Sequence, residues 1–273
     1  MSEGLGLVID ATHEATVNSC ARVPVSFGVV DRSSLPPRWV PPLVVENQGR
    51  TNSCAGHAKA LACSHANFIA TGEVVRFSRR FAYITAQIHG GFRGDVGTSI
   101  VSVLQAATEN GCCTETTCPF QEEYSQILRR QAYEEALKHR HHGNTRYDCR
   151  DLDIALNWIT DAMPRCIVIG TKWMSGQEAC TGIEDRRCGT SGSFRGYHAR
   201  LVVGWDTVDG VLVPVVQNSH GKQWADHGRS RVMPDLWEEW KRDPNFCAFG
   251  FNRIDEIVPE RKSWAESKPG DVC

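Results

Sequence analysis

Between residues 54 and 70 the apolar side chains Ala58, Leu61, Ala62, Ala66 and Ile69 recur three and four positions apart, and Gly72 follows. That is the spacing of a helix face with a glycine stop. Phe77 to Ile84 reads as a second helix, with Ser78 as its cap and its aromatic residues turned inward. Gly97-Thr98-Ser99 leads into a third helix over Ile100 to Glu109, closed by Asn110-Gly111. Glu122 to His142 is charged and helix-prone, and its basic end, Lys138-His139-Arg140-His141-His142, suits a solvated helix whose C-terminus favours cations. Asp151 to Asp161 reads as another helix. The pattern then changes to strands at Arg165 to Thr171, Ala199 to Trp205 and Val211 to Gln217. The last two are joined as a hairpin by Thr207-Val208-Asp209-Gly210. Residues 174 to 196 read as one long loop, and long loops inside domains are usually functional.

Helices first and strands afterwards predict an α+β chain. Its divisions are an N-terminal strap over 1–47, a helical lobe over 48–150, a β-rich lobe over 151–258 and a polar tail over 259–273, forming one domain overall. Pro36-Pro37 and Pro41-Pro42 make Asp31 to Pro42 an extended surface segment. The tail, ending in Cys273, is expected to be poorly ordered. With 273 residues, 41% of them apolar, the chain can bury a sizeable core.

A net charge of −2 carries no electrostatic footprint for nucleic acid or an anionic membrane, so neither is a predicted partner. No apolar run is long enough for a membrane span and the start lacks a secretory pattern, which predicts a cytoplasmic protein. In that compartment the 12 cysteines are read as free thiols. Cys112, Cys113 and Cys118, and Cys180 with Cys188, do not repeat a paired CxxC spacing, so no metal is assigned to them; a local Cys180–Cys188 bridge is as admissible as a zinc knuckle.

The candidate chemistry begins at Gln48-Gly49-Arg50-Thr51-Asn52-Ser53-Cys54. Cys54 opens the first helix, where unpaired N–H groups and the positive end of the dipole favour a thiolate. Gln48 can bring its amide toward the Cys54 backbone N–H, and two such donors make an oxyanion hole.

This stretch resembles the signature of the papain family of cysteine peptidases: Gln48, Gly49, Ser53 and Cys54 match in identity and spacing. Thr51 stands where the family has a disulfide-forming Cys, Asn52 where it has a Gly, and Ala55 where it has a Trp. His198-Ala199, followed by Val203-Gly204-Trp205, resembles the family's histidine motif at a strand start, within the expected separation from the nucleophile. Asn218-Ser219-His220-Gly221, with Trp224 and Gly228, is similar to its third motif, with His220 in place of a shielding Trp.

The resemblance implies a papain-like two-lobe fold, a helical lobe and an antiparallel barrel-like lobe with a cleft between. It also implies thiol-dependent peptide-bond hydrolysis through an acyl-enzyme on Cys54, with His198 as base and acid, Asn218 orienting it, and no cofactor. Asp95 and Gly97 on the glycine loop and Trp224 are the implied substrate-binding residues, with Trp173 and Trp205 as further walls of the cleft. His220 implies a more exposed Asn218 contact, or competition for Asn218. His57 and His65 are read as packing or surface groups. Two other readings fit the same residues: an amidase or isopeptidase acting on cell-wall or modified peptides, and an inert papain-like binding module. Fewer than fifty residues precede Gln48, so something other than a long pro-segment must restrain a peptidase of this kind.

Overall fold

A computed structural model describes residues 5–9, 32–121, 123–140, 147–161 and 163–251. The tail, the start of the strap, Glu122 and His141-His142 lie outside the described residues.

The first helix, α1 (Cys54–Thr71), forms where the spacing predicts it, and Gly72 ends it at φ 77°, with its N–H on the Phe68 carbonyl. Only glycine takes that backbone cheaply. The helix is buried nearly all round rather than along one face, taking in His57, Lys59, His65 and Asn67. It lies against strands β2 (Cys166–Met174) and β4 (Phe194–Val208) and against helices α2 (Arg79–Gly90) and α3 (Ile100–Asn110). Buried polar groups then need partners. Lys59 Nζ donates to the Gly111 carbonyl at 2.9 Å, and His65 Nε2 meets the Val203 carbonyl at 3.2 Å. Both α2 and α3 are capped by serines, the predicted Ser78 accepting from Phe81 N–H and Ser99 from Ser102 N–H.

The charged segment before the strands forms less helix than its composition suggests. Helix α4 covers only Arg130–Ala136, and residues 123–129 carry no regular element. The buried contacts there are few, Ala132 and Ala136 among them, and charge alone does not hold an isolated helix. Helix α5 (Leu152–Ile159) is capped by Asp151, whose carboxylate accepts from Asp153 and Ile154 N–H.

The strands form one sheet in the order β1-β7-β2-β4-β5-β6-β3. Besides β2 and β4 it contains β1 (Tyr147–Asp148), β3 (Ile183–Glu184), β5 (Val211–Gln217), β6 (Arg229–Val232) and β7 (Cys247–Phe251). Pairing is antiparallel except between β3 and β6. The predicted hairpin joins β4 to β5 through Asp209 and Gly210 at φ 49° and 79°, the primed geometry that matches strand twist. Residues 174–196 are not a plain loop: they hold α6 (Ser175–Glu178), β3 and α7 (Arg186–Thr190). A further helix, α8 (Pro234–Lys241), buries Leu236, Trp237 and Trp240. Trp205, expected at the cleft, instead stacks on Trp39 at 5.2 Å, and its Nε1 donates to the Pro36 carbonyl; these contacts pin the proline strap to β4.

Helices α1 and α2 approach so closely that a β-carbon on Gly56 would sit 2.6 Å from Tyr83 Cβ. Gly56→Ala is expected to destabilise the protein by about 1–3 kcal/mol despite alanine's helix preference, read as a lower urea midpoint.

Candidate active site

The turn before α1 is closed by short polar contacts. Thr51 Oγ1 donates to the Gln48 carbonyl at 2.7 Å and lies 2.6 Å from Ser53 Oγ, which in turn is 3.1 Å from His57 Nδ1. These bonds tie the turn at the position where the resemblance would place a disulfide. Asn52 adds a second tie: its backbone N–H donates to Asp95 Oδ1 at 2.9 Å and its side chain to the Asp95 carbonyl at 2.6 Å. Tyr83 Oη donates to the same carboxylate at 2.8 Å. Asp95 therefore clamps the turn before Cys54 to the glycine loop.

Helix α1 presents Cys54 at its first turn, fully buried, and Sγ accepts the Ala199 backbone N–H at 3.4 Å. Ala199 follows His198 on β4, so the sheet strand and the helix end meet at these two residues. His198 is also fully buried, and its Nε2 donates to Asn218 Oδ1 at 2.7 Å. That bond selects the tautomer in which Nδ1 keeps its lone pair, and Nδ1 is buried without a well-formed hydrogen bond. Asn218 Oδ1 also accepts Ser219 N–H at 2.7 Å, while Ser219 Oγ donates to Gln48 Oε1 at 2.5 Å. Gln48 Nε2 donates to the Thr51 carbonyl at 2.8 Å. Ser219 is a residue whose part was not evident beforehand, because a Ser after an Asn ordinarily signals only a turn.

His220 changes the expectation attached to it. Its ring stacks on His198 with centroids 4.7 Å apart, and Asn218, only 3% exposed, reaches its Nδ1 with Nδ2 at 3.4 Å. The imidazole thus covers the Asn218–His198 bond and uses the other end of the same amide. Trp173 meets both rings edge-on, at 4.9 and 5.3 Å, and Trp224 packs beside Trp173 at 5.9 Å.

A cleft of about 890 Å³ opens here, lined by Trp173, Tyr197, His220 and Trp224, and also by Leu5 and Gly6. Leu5, Gly6 and Leu7 of the short segment 5–9 form part of its wall. Thr98 N–H donates to the Gly6 carbonyl at 2.9 Å and Val8 N–H to the Thr98 carbonyl at 3.1 Å, while Leu7 bridges to Tyr197 on the other side. A β-carbon on Gly97, which stands at φ 89°, would come within 2.0 Å of the Gly6 carbonyl oxygen, so a glycine is needed for the segment to pass. No periodicity in the first thirty residues pointed to this contact, which is made through backbone groups.

Burial dominates the electrostatics. It pushes the Cys54 thiol up to about 12 against the opposing pull of the Ala199 and Ala55 N–H groups. It also holds His198 well below its ordinary range, helped by His220 and Arg200 and opposed by Asn218 and the Leu5 backbone. Burial thus favours the neutral thiol and the neutral imidazole over their charged forms.

Among the described residues no three His, Cys, Asp or Glu side chains are grouped to hold a metal. Cys180 and Cys188 are free thiols, Cys180 Sγ lying 3.5 Å from the Ile183 carbonyl and Cys188 Sγ 3.8 Å from that of Gly176. No helix among the described residues is long and apolar enough to cross a membrane.

A thiol at a helix start, against a strand histidine held by an asparagine, defines a cysteine-hydrolase arrangement. The family model of papain family cysteine proteases matches residues 40–239, and the chain belongs to that family and is a papain-like thiol peptidase acting on peptides or proteins. Solved structures share the fold. Xylellain, a cysteine protease from Xylella fastidiosa, is 21% identical with a TM-score of 0.74, the match covering 94% of this chain and 97% of that one. Procathepsin B S9 from Trypanosoma congolense is 16% identical with a TM-score of 0.69, covering 93% and 87%. A Carica candamarcensis cysteine protease in complex with E-64 is 20% identical with a TM-score of 0.63, covering 80% and 100%. A comparison with curated proteins returns no match.

Burial lowers His57 to about 3 and His65 to about 4. Both stay neutral in the folded protein while the unfolded chain takes up protons near 6.5, so stability is present above that pH and falls as pH drops from about 6.5 to about 4 for His65 and to about 3 for His57. Urea midpoints measured across that window are expected to decline, and His65→Gln to flatten the slope.

Proposed function

We propose that Cys54 is the nucleophile, His198 its base and acid, Asn218 the residue that orients His198, and Gln48 a donor to the oxyanion. The observation that carries this reading is the meeting of Cys54 Sγ with the Ala199 N–H, directly beside a His198 whose Nε2 is already committed to Asn218. Nδ1 is then the basic nitrogen left to take the thiol proton. The thiolate attacks the peptide carbonyl, and the oxyanion gathers near the first N–H groups of α1. His198 returns the proton to the leaving amine and then activates the water that cleaves the acyl-enzyme. Gln48 is held at this turn by Ser219 and the Thr51 carbonyl, which limits its side chain to one place.

Trp224 lines the cleft, which supports a substrate role for it, and Gly97 sits behind the cleft-lining Gly6, whereas Asp95 acts on substrate only by holding the turn. Trp224 Nε1 donates to the Gln177 carbonyl at 2.9 Å, leaving its ring as a wall. Segment 5–9 is the restraint: it takes the Thr98 backbone donor and acceptor that an extended substrate would use, and it keeps the pair buried and neutral. Ten thiols without a bridge among the described residues support a reducing, cytoplasmic setting.

The test is intact-protein mass after brief exposure to an epoxysuccinyl peptide. One adduct is expected on the wild type, none on Cys54→Ala, and much slower labelling of His198→Ala. Leu7→Glu, which places a charge where Leu7 is 8% exposed, is expected to label about tenfold faster or more by opening the cleft. Adducts spread evenly over the other thiols would exclude Cys54 as nucleophile, and unchanged labelling of Leu7→Glu would exclude segment 5–9 as the restraint.

A further inference from the structure

Arg200 is a fully buried cation two residues beyond His198, on the same face of β4. Its Nη1 lies 2.6 Å from Glu184 Oε1, with neither side chain exposed, and its Nη2 donates to Thr171 Oγ1 at 3.3 Å. The guanidinium sits between two indoles, 5.1 Å from the ring centroid of Trp173 and 5.1 Å from that of Trp240. Glu184 is saturated in turn: Ser230 Oγ donates to Oε1 and Gln177 Nε2 to Oε2 at 2.7 Å. Gln177 reaches on to the cleft, accepting Met174 N–H with its side chain at 2.9 Å and Trp224 Nε1–H with its carbonyl.

The cost of burying such a pair is large, and packed apolar residues of similar volume commonly stabilise a fold as well or better. Stability is therefore a poor reason for its presence, whereas position is a good one. Trp173 rests on Arg200 and touches His198 and His220. Trp224 is fixed through Gln177, and Gln177 through Glu184. Two walls of the cleft and the proposed catalytic imidazole are thus referred to one ion pair.

We propose that the Glu184–Arg200 pair is a positioning unit for the reaction, holding Trp173 against His198 and Trp224 along the cleft and setting the charge felt by the thiol–imidazole pair. The groups facing His198 are Cys54 from α1, His220 from the loop after β5, and Arg200 with Glu184 behind it. Arg200 opposes protonation of His198, and a cation favours the charged form of a nearby thiolate. Removing its charge raises the pKa of both reacting groups, and removing only Glu184's charge lowers both.

This inference rests on Cys54 and His198 as the reacting pair, and the experiment separates the two. The rate of Cys54 alkylation by iodoacetamide is followed by mass from pH 4 to 10, with kcat and KM on a fluorogenic peptide amide, for the wild type and three variants. Arg200→Met with Glu184→Leu, which leaves neither charge unpaired, is expected to fold with wild-type circular dichroism. Its kcat should fall about tenfold or more, and both limbs of its pH profile should move upward by about half a unit or more. Glu184→Gln is expected to move them downward. Arg200→Lys, which keeps the charge and loses the planar stack, is expected to keep the limbs in place while kcat falls several-fold. Wild-type kcat and limbs in the double variant would overturn the proposal, and so would a double variant that does not fold, since the pair would then serve stability. Wild-type protein without selective alkylation of Cys54 would instead overturn the assignment of the reacting pair.

Discussion

The site depends on one contact between two kinds of element: the start of α1 meeting the middle of β4, where Cys54 Sγ accepts the Ala199 N–H. A helix end supplies unpaired donors and a positive field, and an antiparallel strand supplies a side chain fixed in direction by its neighbours. Neither alone makes a hydrolytic centre. Packing α1 on β2 and β4 sets the distance, and the close crossing of α1 with α2 at Gly56 leaves the helix no room to slide. The clamp from Asp95 and Tyr83 to Asn52 then fixes the turn from the opposite side. Two core clusters share the sheet, so the core that stabilises the protein is also the frame that aims the reacting groups.

Burial has a second consequence. The same dry surroundings that strengthen the Asn218–His198 hydrogen bond push the thiol and imidazole toward their neutral forms. A nucleophile of this kind needs either an uncovered cleft or a compensating field. On the proposed reading, segment 5–9 governs the first. The ion pair beneath Trp173 is proposed to govern the second, while His220 lends a stacked aromatic surface in place of a tryptophan's.

Much of this was legible in the residues. The first three helices, the helix after Asp151 and the β4–β5 hairpin follow from apolar spacing, the Ser78 cap, glycine stops and an Asp-Gly turn, all of which act locally. Cys54, His198 and Asn218 stood out because their order and spacing survive in the chain. What stayed hidden depends on distant partners. Asp95 suggested substrate contact, yet its carboxylate is spent on Asn52 and Tyr83, 43 and 12 residues away. Trp205 suggested a cleft wall, but beyond the register shift after Val202 its ring is packed on Trp39 in the core cluster with Val202 and Trp240. Segment 5–9 joins the site through main-chain hydrogen bonds, which leave no side-chain signature. The Gln-Glu-Arg chain under the cleft draws its members from β4, β3 and α6, elements that lay largely within what read as one long loop.

The central claim is that Cys54, activated by His198, carries the acyl group. The most direct measurement is an acid-quenched reaction with an activated peptide ester, followed by digestion and mass mapping of the acylated residue. The account predicts one acyl group per chain on the peptide containing Cys54, reached faster than steady-state turnover, and lost in Cys54→Ala together with turnover. Acylation of another of the thiols, or turnover that persists in Cys54→Ala, would contradict it.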